Sequence, residues 1–142
     1  MMNKLIILSG CPGSGKSTYA RSIVKKDPRH IVIVSRDSLR EMMGIYWVPK
    51  RESLISDIEW LSIQTSLDSG YTVIIDATNL ETKRFENLAE FLGIPCEIKY
   101  FDIPLWKAKL RVIKRFLLGG RWISFKVITN FHKRYVEICK RG

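Results

Sequence analysis

The sequence feature that most constrains the fold is the glycine-rich stretch Gly10-Cys11-Pro12-Gly13-Ser14-Gly15-Lys16-Ser17, which fits the pattern G-x-x-x-x-G-K-[ST]. Glycines at this spacing let successive backbone N–H groups turn inward and form a nest for an anion. The pattern assigns Lys16 to the β- and γ-phosphates of a nucleotide and the Ser17 hydroxyl to Mg²⁺. We therefore predict that this stretch, together with Thr18, binds the phosphates of a nucleoside triphosphate.

The residues around the stretch predict the strand and the helix that such a motif requires. Residues 4–8 form a short apolar run, and residues 16–26 carry apolar side chains at helical spacing. The runs at 31–34 and 71–75 predict strands buried in a parallel sheet, the first on both faces, and residues 95–102 predict a further strand. Amphipathic segments alternate with these runs. The expected fold is α/β, a P-loop NTPase-type three-layer sandwich with about four parallel strands and helices on both faces.

Apolar side chains at helical spacing predict which face of each helix is buried. The predicted faces are Leu54, Ile55, Ile58, Leu61 and Leu67 before Gly70; Phe85, Leu88, Ala89 and Leu92 in residues 82–92; Trp106, Leu110, Ile113 and Leu117 after Pro104; and Val127, Ile128, Phe131, Tyr135 and Ile138 in residues 124–140. Ser38 and Glu41 form a capping box, which predicts that a short helix begins at Ser38. Asp37 would then lie at a strand end, outside the helix and without a capping role.

The size and charge of the chain narrow its class. Its 142 residues suit one compact domain. The formal net charge of +10 suggests a polyanionic partner such as nucleic acid, although a solvated basic surface explains the charge equally well. The cysteines, Cys11, Cys96 and Cys139, are widely spaced and form no zinc-ligand pattern. Since no apolar run reaches the ~18 residues that span a bilayer, we expect a soluble cytoplasmic protein with no membrane partner.

Polar residues at the carboxyl ends of the predicted strands are candidates for the chemistry, because ligands bind at this edge of a parallel sheet. The candidates are Arg36, Asp37 and Arg40 after the second strand, and Asp76, Thr78 and Asn79 after the third. Asp37 is the best candidate for a general base. For Asp76 two roles stay open: it holds Mg²⁺ through water, or it hydrogen-bonds Ser17 and the loop.

The absence of other motifs favours a phosphotransferase. The chain lacks the guanine-reading pattern N-K-x-D, and Asp76 is followed by Ala77 rather than by the second acidic residue expected of a motor ATPase. Lys107, Arg111, Lys114 and Arg115 lie on the basic side of the helix that ends before Gly119-Gly120. We interpret residues 104–123 as a helical lid that closes over the phosphates, the alternative being a solvated surface.

Four segments together resemble the kinase domain of phage-type polynucleotide 5′-kinases: residues 10–18, 35–40, 76–80 and 101–104. The resemblance implies transfer of the γ-phosphate of ATP to the 5′-OH end of DNA or RNA, with Mg²⁺. It implies that Lys16 and Ser17 serve the ATP phosphates and the metal, that Asp37 takes the proton of the 5′-OH, and that Arg40 grips the phosphate on the 3′ side of the acceptor nucleoside. Thr78 would help seat that end, with Asn79 beside it.

The same resemblance implies that Arg115 is the lid arginine on the ATP phosphates and Arg111 a second contact. Residues 116–122 depart from the family pattern, so Arg121 is an alternative, and residues 45–51 also match poorly. We expect a single kinase domain over residues 1–142, with no phosphatase or ligase domain, in the cytoplasm of a bacterium or a phage-infected cell. Two alternatives stay open: a small-molecule P-loop kinase, and a non-catalytic ATP-dependent nucleic-acid binder.

Overall fold

The computed structural model describes residues 3–11, 13–77, 82–101, 104–119 and 123–141, with side chains up to residue 137. The strands in these ranges are β1 (Leu5–Gly10), β2 (Ile31–Ser35), β3 (Thr72–Asp76) and β4 (Cys96–Phe101). The helices are α1 (Lys16–Val24), α2 (Arg36–Met42), α3 (Glu52–Asp68), α4 (Lys83–Leu92), α5 (Leu105–Leu117) and α6 (Phe125–Arg141), with a 3-10 turn at Pro49–Arg51. The candidate residues Pro12, Thr78, Asn79 and Arg121 lie outside the described residues.

The strands form one parallel sheet in the order β2-β3-β1-β4. Alternate residues of β1 point to opposite faces of the sheet. Leu5 and Ile7 pack with side chains of α3 and α4, whereas Ile6 and Leu8 pack with Ala20 of α1. The predicted three-layer α/β sandwich is therefore confirmed, and the phosphate-loop motif lies between the central strand β1 and helix α1.

The prediction that β2 is buried on both faces is wrong. Val34 is the one buried residue of this strand, and its other residues are half-buried. The reason is the strand order, because β2 lies at an edge of the sheet and pairs with β3 alone. In β3, which lies inside the sheet, the core residues Val73, Ile74 and Ile75 are fully buried.

The predicted start of the short second helix is also wrong. Helix α2 begins at Arg36, and the Ser35 side chain caps it by accepting a hydrogen bond from the backbone N–H of Ser38 at 3.3 Å. Ser35 is thus the capping residue, and Ser38 provides the N–H that is capped. Asp37 consequently lies in the first turn of the helix instead of before it.

Two predicted helix faces are wrong in part. Helix α3 buries Ile55 and Leu67 as predicted and half-buries Ile58, but Leu54 and Leu61 are exposed. Glu59 and Ile63, which were not predicted, complete the buried face. A strict i, i+4 face was missed because one of its members is a glutamate. Helix α5 buries Ala108 and Val112; of its predicted face, Ile113 is half-buried and Trp106, Leu110 and Leu117 are exposed.

The small residues of α5 face the phosphate loop. Ala108 and Val112 form a buried cluster with Cys11 of the loop and Ile128 of α6. A bulky face could not approach so closely, which explains why the larger apolar side chains point away.

In α6, Ile128 and Tyr135 are buried as predicted and Phe131 packs against the cluster, but Val127 is exposed. The side chain of Ile138 lies outside the described part of the chain. In α4, Phe85, Leu88 and Ala89 are buried as predicted, and Leu92 packs against them.

Among the described helices, none combines the length and the apolar character that crossing a membrane requires.

Candidate active site

The loop between β1 and α1 has the backbone geometry of a phosphate cradle. Gly13 and Gly15 have φ angles of 81° and 97°, a region that glycine enters without a steric penalty. A Cβ atom on Gly13 would lie 2.7 Å from the carbonyl oxygen of Ala108. Gly10 is also enclosed, since a Cβ there would lie 2.8 Å from Ser14 Oγ and 2.9 Å from Phe101. The loop is therefore tightly packed on its outer side and needs glycine at these positions.

Lys16 lies buried inside this loop. Its Nζ donates to the carbonyl oxygens of Gly10 and Cys11, both at 2.9 Å, and lies 3.4 Å from Ser14 Oγ. Burial lowers the pKa of Lys16 below its ordinary value, and the nearby Asp76 carboxylate opposes this shift. The ammonium group is thus desolvated and oriented before any phosphate arrives, which suits a group that stabilises charge on phosphate oxygens.

Ser17, in the first turn of α1, meets Asp76, the last residue of β3. The Ser17 hydroxyl donates to Asp76 Oδ2 at 2.8 Å. Of the two roles considered for Asp76, the structure shows the hydrogen bond to Ser17. Hydroxyl and carboxylate oxygens are also the donors that Mg²⁺ prefers. These two side chains therefore fit a magnesium ion bound beside nucleotide phosphates.

The acceptor side of the site is formed by α2. Asp37 and Arg40 are one turn apart, and the Arg40 NH1 atom donates to Asp37 Oδ1 at 3.0 Å. The Tyr46 hydroxyl donates to the same oxygen at 2.5 Å. Asp37 lines the cleft that the phosphate loop also lines, so the fold brings the predicted base and the predicted phosphate site together. Two donors orient its carboxylate there.

Arg40 is held in place by Glu52, a residue for which the sequence predicts no role in the site. Its Nε donates to Glu52 Oε2 at 3.0 Å and its NH2 donates to Oε1 at 2.6 Å. The hydrogen bond from Arg40 lowers the pKa of Glu52, and the same bond raises the pKa of Arg40. A carboxylate that binds a guanidinium through both oxygens fixes its plane as well as its position.

Arg36, which also lines the cleft, extends this network to α3. Its NH1 donates to Ser56 Oγ and to Glu59 Oε1, both at 3.1 Å, and its NH2 lies 3.4 Å from Glu52 Oε1. Burial raises the pKa of Glu59, whose Oε2 atom has no hydrogen-bond partner among the described residues. Arg36 is therefore placed to support Glu52, and its hydrogen bonds are directed to α3.

The basic helix α5 lies against the other side of the phosphate loop. Arg111 NH1 donates to the carbonyl oxygen of Gly13 at 3.2 Å. Arg115 lines both the main cleft, of about 1030 Å³, and a second cavity of about 450 Å³ that Arg111, Lys114 and Thr18 also line. Both predicted lid arginines thus lie at the phosphate loop, while Arg121, the alternative, lies outside the described residues.

The main cleft brings together most of the predicted site residues, and it also contains residues that the sequence analysis missed. The expected members at the cleft are Gly13, Ser14, Gly15, Lys16, Ser17, Arg36, Asp37, Arg40, Asp76 and Arg115. The missed members include Glu52, Tyr46 and Trp47. Glu52 is the first residue of α3, where an acidic side chain has an ordinary helix-stabilising role. Its position opposite Arg40 is a tertiary feature that no local pattern signals.

The geometry agrees with comparisons to known proteins. A family profile described as "AAA domain" matches residues 5–137. L-seryl-tRNA(Sec) kinase of Methanococcus maripaludis is 32% identical over 135 residues, which cover 92% of this chain and 52% of that protein. A chain in the structure of the Pnkp1/Rnl/Hen1 RNA repair complex is 29% identical with a TM-score of 0.86, over 99% of this chain and 46% of that chain.

This chain thus spans about half the length of these two relatives. A gluconokinase from Sinorhizobium meliloti shares the fold, with a TM-score of 0.60 at 17% identity over 94% of this chain and 75% of that chain. The predicted resemblance to polynucleotide kinases is confirmed by these similarities. The chain therefore belongs to the AAA domain family and has the α/β fold of P-loop kinases.

Proposed function

We propose that this domain is an ATP-dependent polynucleotide 5′-hydroxyl kinase. The observation that carries the proposal is that Asp37 and Arg40 line the same cleft as the phosphate loop. A carboxylate next to an arginine suits an acceptor that has a hydroxyl group close to a phosphate. The 5′ end of a nucleic-acid strand has both groups on one nucleotide. The net charge of +10 also suits a polyanionic strand.

In the proposed reaction Asp37 accepts the proton of the 5′-hydroxyl while the hydroxyl oxygen bonds to the γ-phosphorus of ATP. The bond between that phosphorus and the β,γ-bridging oxygen breaks, and ADP leaves. Lys16 and Arg115 stabilise the charge on the phosphate oxygens. Arg40 binds the phosphate on the 3′ side of the acceptor nucleoside. Ser17 would hold Mg²⁺, with Asp76 next to it; this ion, when bound, neutralises charge on the β- and γ-phosphates.

The two substrates are assigned to different sides of the phosphate loop. We assign ATP phosphates to the loop, Lys16 and the α5 arginines, and the acceptor to the α2 side. Arg111 adds to the ATP side through its contact with the loop carbonyl of Gly13. For Thr78 and Asn79, which lie outside the described residues, a role in seating the acceptor remains a proposal from the sequence.

A second candidate function is supported by one specific similarity. The 32% identical relative is named as a kinase of seryl-tRNA(Sec), so its acceptor is also attached to a nucleic acid. In that case the hydroxyl would belong to an aminoacyl group and not to a 5′ end. The basic cleft, the phosphate loop and a base at Asp37 would serve either acceptor, which is why the acceptor has to be tested directly.

The test is phosphate transfer from γ-labelled ATP to a panel of acceptors. The panel comprises 5′-OH DNA and RNA oligonucleotides, a nucleoside, the corresponding nucleoside 3′-monophosphate, and seryl-tRNA. We expect transfer to the oligonucleotides and to the 3′-monophosphate, and little to the nucleoside. Asp37→Asn should reduce turnover by ~10²–10⁴-fold while ATP affinity is retained.

Three results would contradict the proposal in different ways. Transfer to seryl-tRNA alone would select the second candidate. Equal activity on the nucleoside and its 3′-monophosphate would indicate a small-molecule kinase, since Arg40 would then have no phosphate to bind. Nucleotide binding without transfer to any acceptor would favour a non-catalytic nucleotide-dependent binder, and wild-type turnover in Asp37→Asn would exclude Asp37 as the base. Asp57→Asn, an exposed acidic residue of α3, is the matched control.

A further inference from the structure

The loop that follows α2 carries two aromatic side chains beside the acceptor residues. Tyr46 and Trp47 both line the main cleft together with Asp37 and Arg40. The Arg51 side chain donates to the carbonyl oxygen of Met43 at 3.0 Å, which ties the two ends of this loop together. The rings are therefore held next to the acceptor side of the site by a closed loop.

The two rings differ in their burial and in their contacts. Tyr46 is half-buried, and its hydroxyl bonds Asp37, so its position orients the carboxylate. Trp47 is 57% exposed although it lines a cleft. Tryptophan is highly buried on average in folded proteins. Its exposed indole surface is therefore available for a ligand that enters the cleft.

The surroundings of Trp47 indicate the class of ligand. The Cζ atom of Arg40 lies 5.7 Å from the centre of its ring. A ligand that covers the indole therefore has a flat apolar part, with an anionic group within reach of the guanidinium. A nucleotide unit has these two parts, a base and a phosphate. Bases stack on aromatic side chains whatever their identity, because each base has a π-face.

Resting on the function proposed above, we propose that Trp47 is a stacking platform for a nucleobase of the acceptor strand. The base would lie on the indole while the adjoining phosphate binds Arg40 and the hydroxyl end points to Asp37. This subsite makes the domain select an acceptor that carries a nucleobase. It also gives a role to the loop at residues 45–51, which matches the polynucleotide-kinase pattern poorly.

The test compares Trp47→Ala and Trp47→Phe with the wild type on three 5′-OH oligonucleotides. One is intact, one is abasic at its first nucleotide and one is abasic at its second. Trp106→Ala is the matched control, because Trp106 is 61% exposed but lies on α5 and does not line the cleft. We expect Trp47→Ala to lower kcat/KM for the intact strand about 5-fold to 100-fold, through KM.

The abasic strands locate the stacked base. Removing the base that stacks should lower the kcat/KM of the wild type by a similar factor, and Trp47→Ala should cause no further loss on that strand. Trp47→Phe should retain most of the activity on the intact strand, since it keeps an aromatic face. Trp106→Ala should behave as the wild type does on all three strands.

Other outcomes overturn the inference. If Trp47→Ala matches the wild type on the intact strand, the platform does not exist, while the proposed function stands. If Trp47→Ala loses equally on the intact strand and on both abasic strands, Trp47 only supports Arg40. If the wild type phosphorylates none of the strands, the proposed function fails, and this inference fails with it.

Discussion

Arg40 is bound by both carboxylate oxygens of Glu52, at 2.6 and 3.0 Å, while its remaining terminal nitrogen donates to Asp37. One guanidinium therefore joins the start of α3 to the candidate base on α2. This arrangement fixes the arginine before an acceptor binds, and it explains how a side chain with many rotamers is preorganised. It also makes Glu52 a positioning residue for the acceptor site.

We predict that Glu52→Gln weakens acceptor use without weakening ATP use. Loss of the charged partner removes charge-assisted hydrogen bonds, which are typically worth ~1.5–3 kcal/mol. The expected fall in kcat/KM for a nucleoside 3′-monophosphate is about tenfold, with KM for ATP unchanged. Steady-state kinetics with each substrate varied in turn measure this. Glu41→Gln, an exposed acidic residue of α2, controls for the loss of charge. Equal kinetics for Glu52→Gln and wild type would show that Arg40 needs no such support.

Lys16→Ala should abolish most of the transfer activity. The buried ammonium is held inside the loop by carbonyl oxygens, so it is available to phosphate oxygens without solvent reorganisation. Loss of one preorganised charge contact in the transition state typically costs ~10²–10³-fold in turnover. Single-turnover transfer from labelled ATP measures the loss, with the exposed Lys25→Ala as control. Substantial turnover in Lys16→Ala would mean that the phosphate loop is misassigned.

Gly13→Ala should destabilise the fold more than Gly44→Ala does. Both glycines have φ angles above 80°, so alanine causes backbone strain of ~1–3 kcal/mol at either position. A Cβ on Gly13 would also lie 2.7 Å from the backbone oxygen of Ala108, whereas nothing lies within 4 Å of a Cβ on Gly44. Chemical unfolding measures the free energy of unfolding of both variants. The additional loss in Gly13→Ala reports the contact between α5 and the phosphate loop. Equal losses in free energy of unfolding would contradict this packing.

The sheet and the phosphate loop were predictable because their signals are local. Strand, glycine loop and helix follow one another along the chain, and the buried runs of β1 and β3 are read directly from their side chains. The failures occurred where an environment is made by distant residues. β2 has the composition of an inner strand, and its place at the sheet edge depends on the strand order.

The buried faces of α3 and α5 failed for a related reason. Apolar periodicity cannot anticipate that Glu59 is buried because Arg36 reaches it, nor that Ala108 and Val112 pack against Cys11 of the loop. In the site, Asp37 and Arg40 were found through a sequence pattern, but Glu52 and Trp47 were not. Glu52 lies at the start of α3 and Trp47 lies in the loop before it. Both residues reach the cleft through tertiary packing, which no local sequence pattern predicts.

The network around Arg36 and Arg40 should give opposite pH effects from its two glutamates. The pKa of Glu52 is lowered from its ordinary value of 4.5 by Arg40, whereas the pKa of Glu59 is raised above the same value by burial. Below pH 4.5 the unfolded chain therefore protonates at Glu52 before the folded chain does, so the stabilisation from Glu52 is lost as the pH falls. Above pH 4.5 the unfolded chain ionises at Glu59 first, so stability is lost as the pH rises through the folded pKa.

These signs are tested by the free energy of unfolding of the wild type, Glu52→Gln and Glu59→Gln between pH 3 and pH 8. Other titrating groups cancel when each variant is subtracted from the wild type. The difference for Glu52→Gln should be constant at neutral pH and shrink as the pH falls below 4.5. The difference for Glu59→Gln should instead change above 4.5, with the wild type losing stability relative to the variant as the pH rises. Parallel profiles for the two variants would contradict the network, because its two carboxylates would then share one environment.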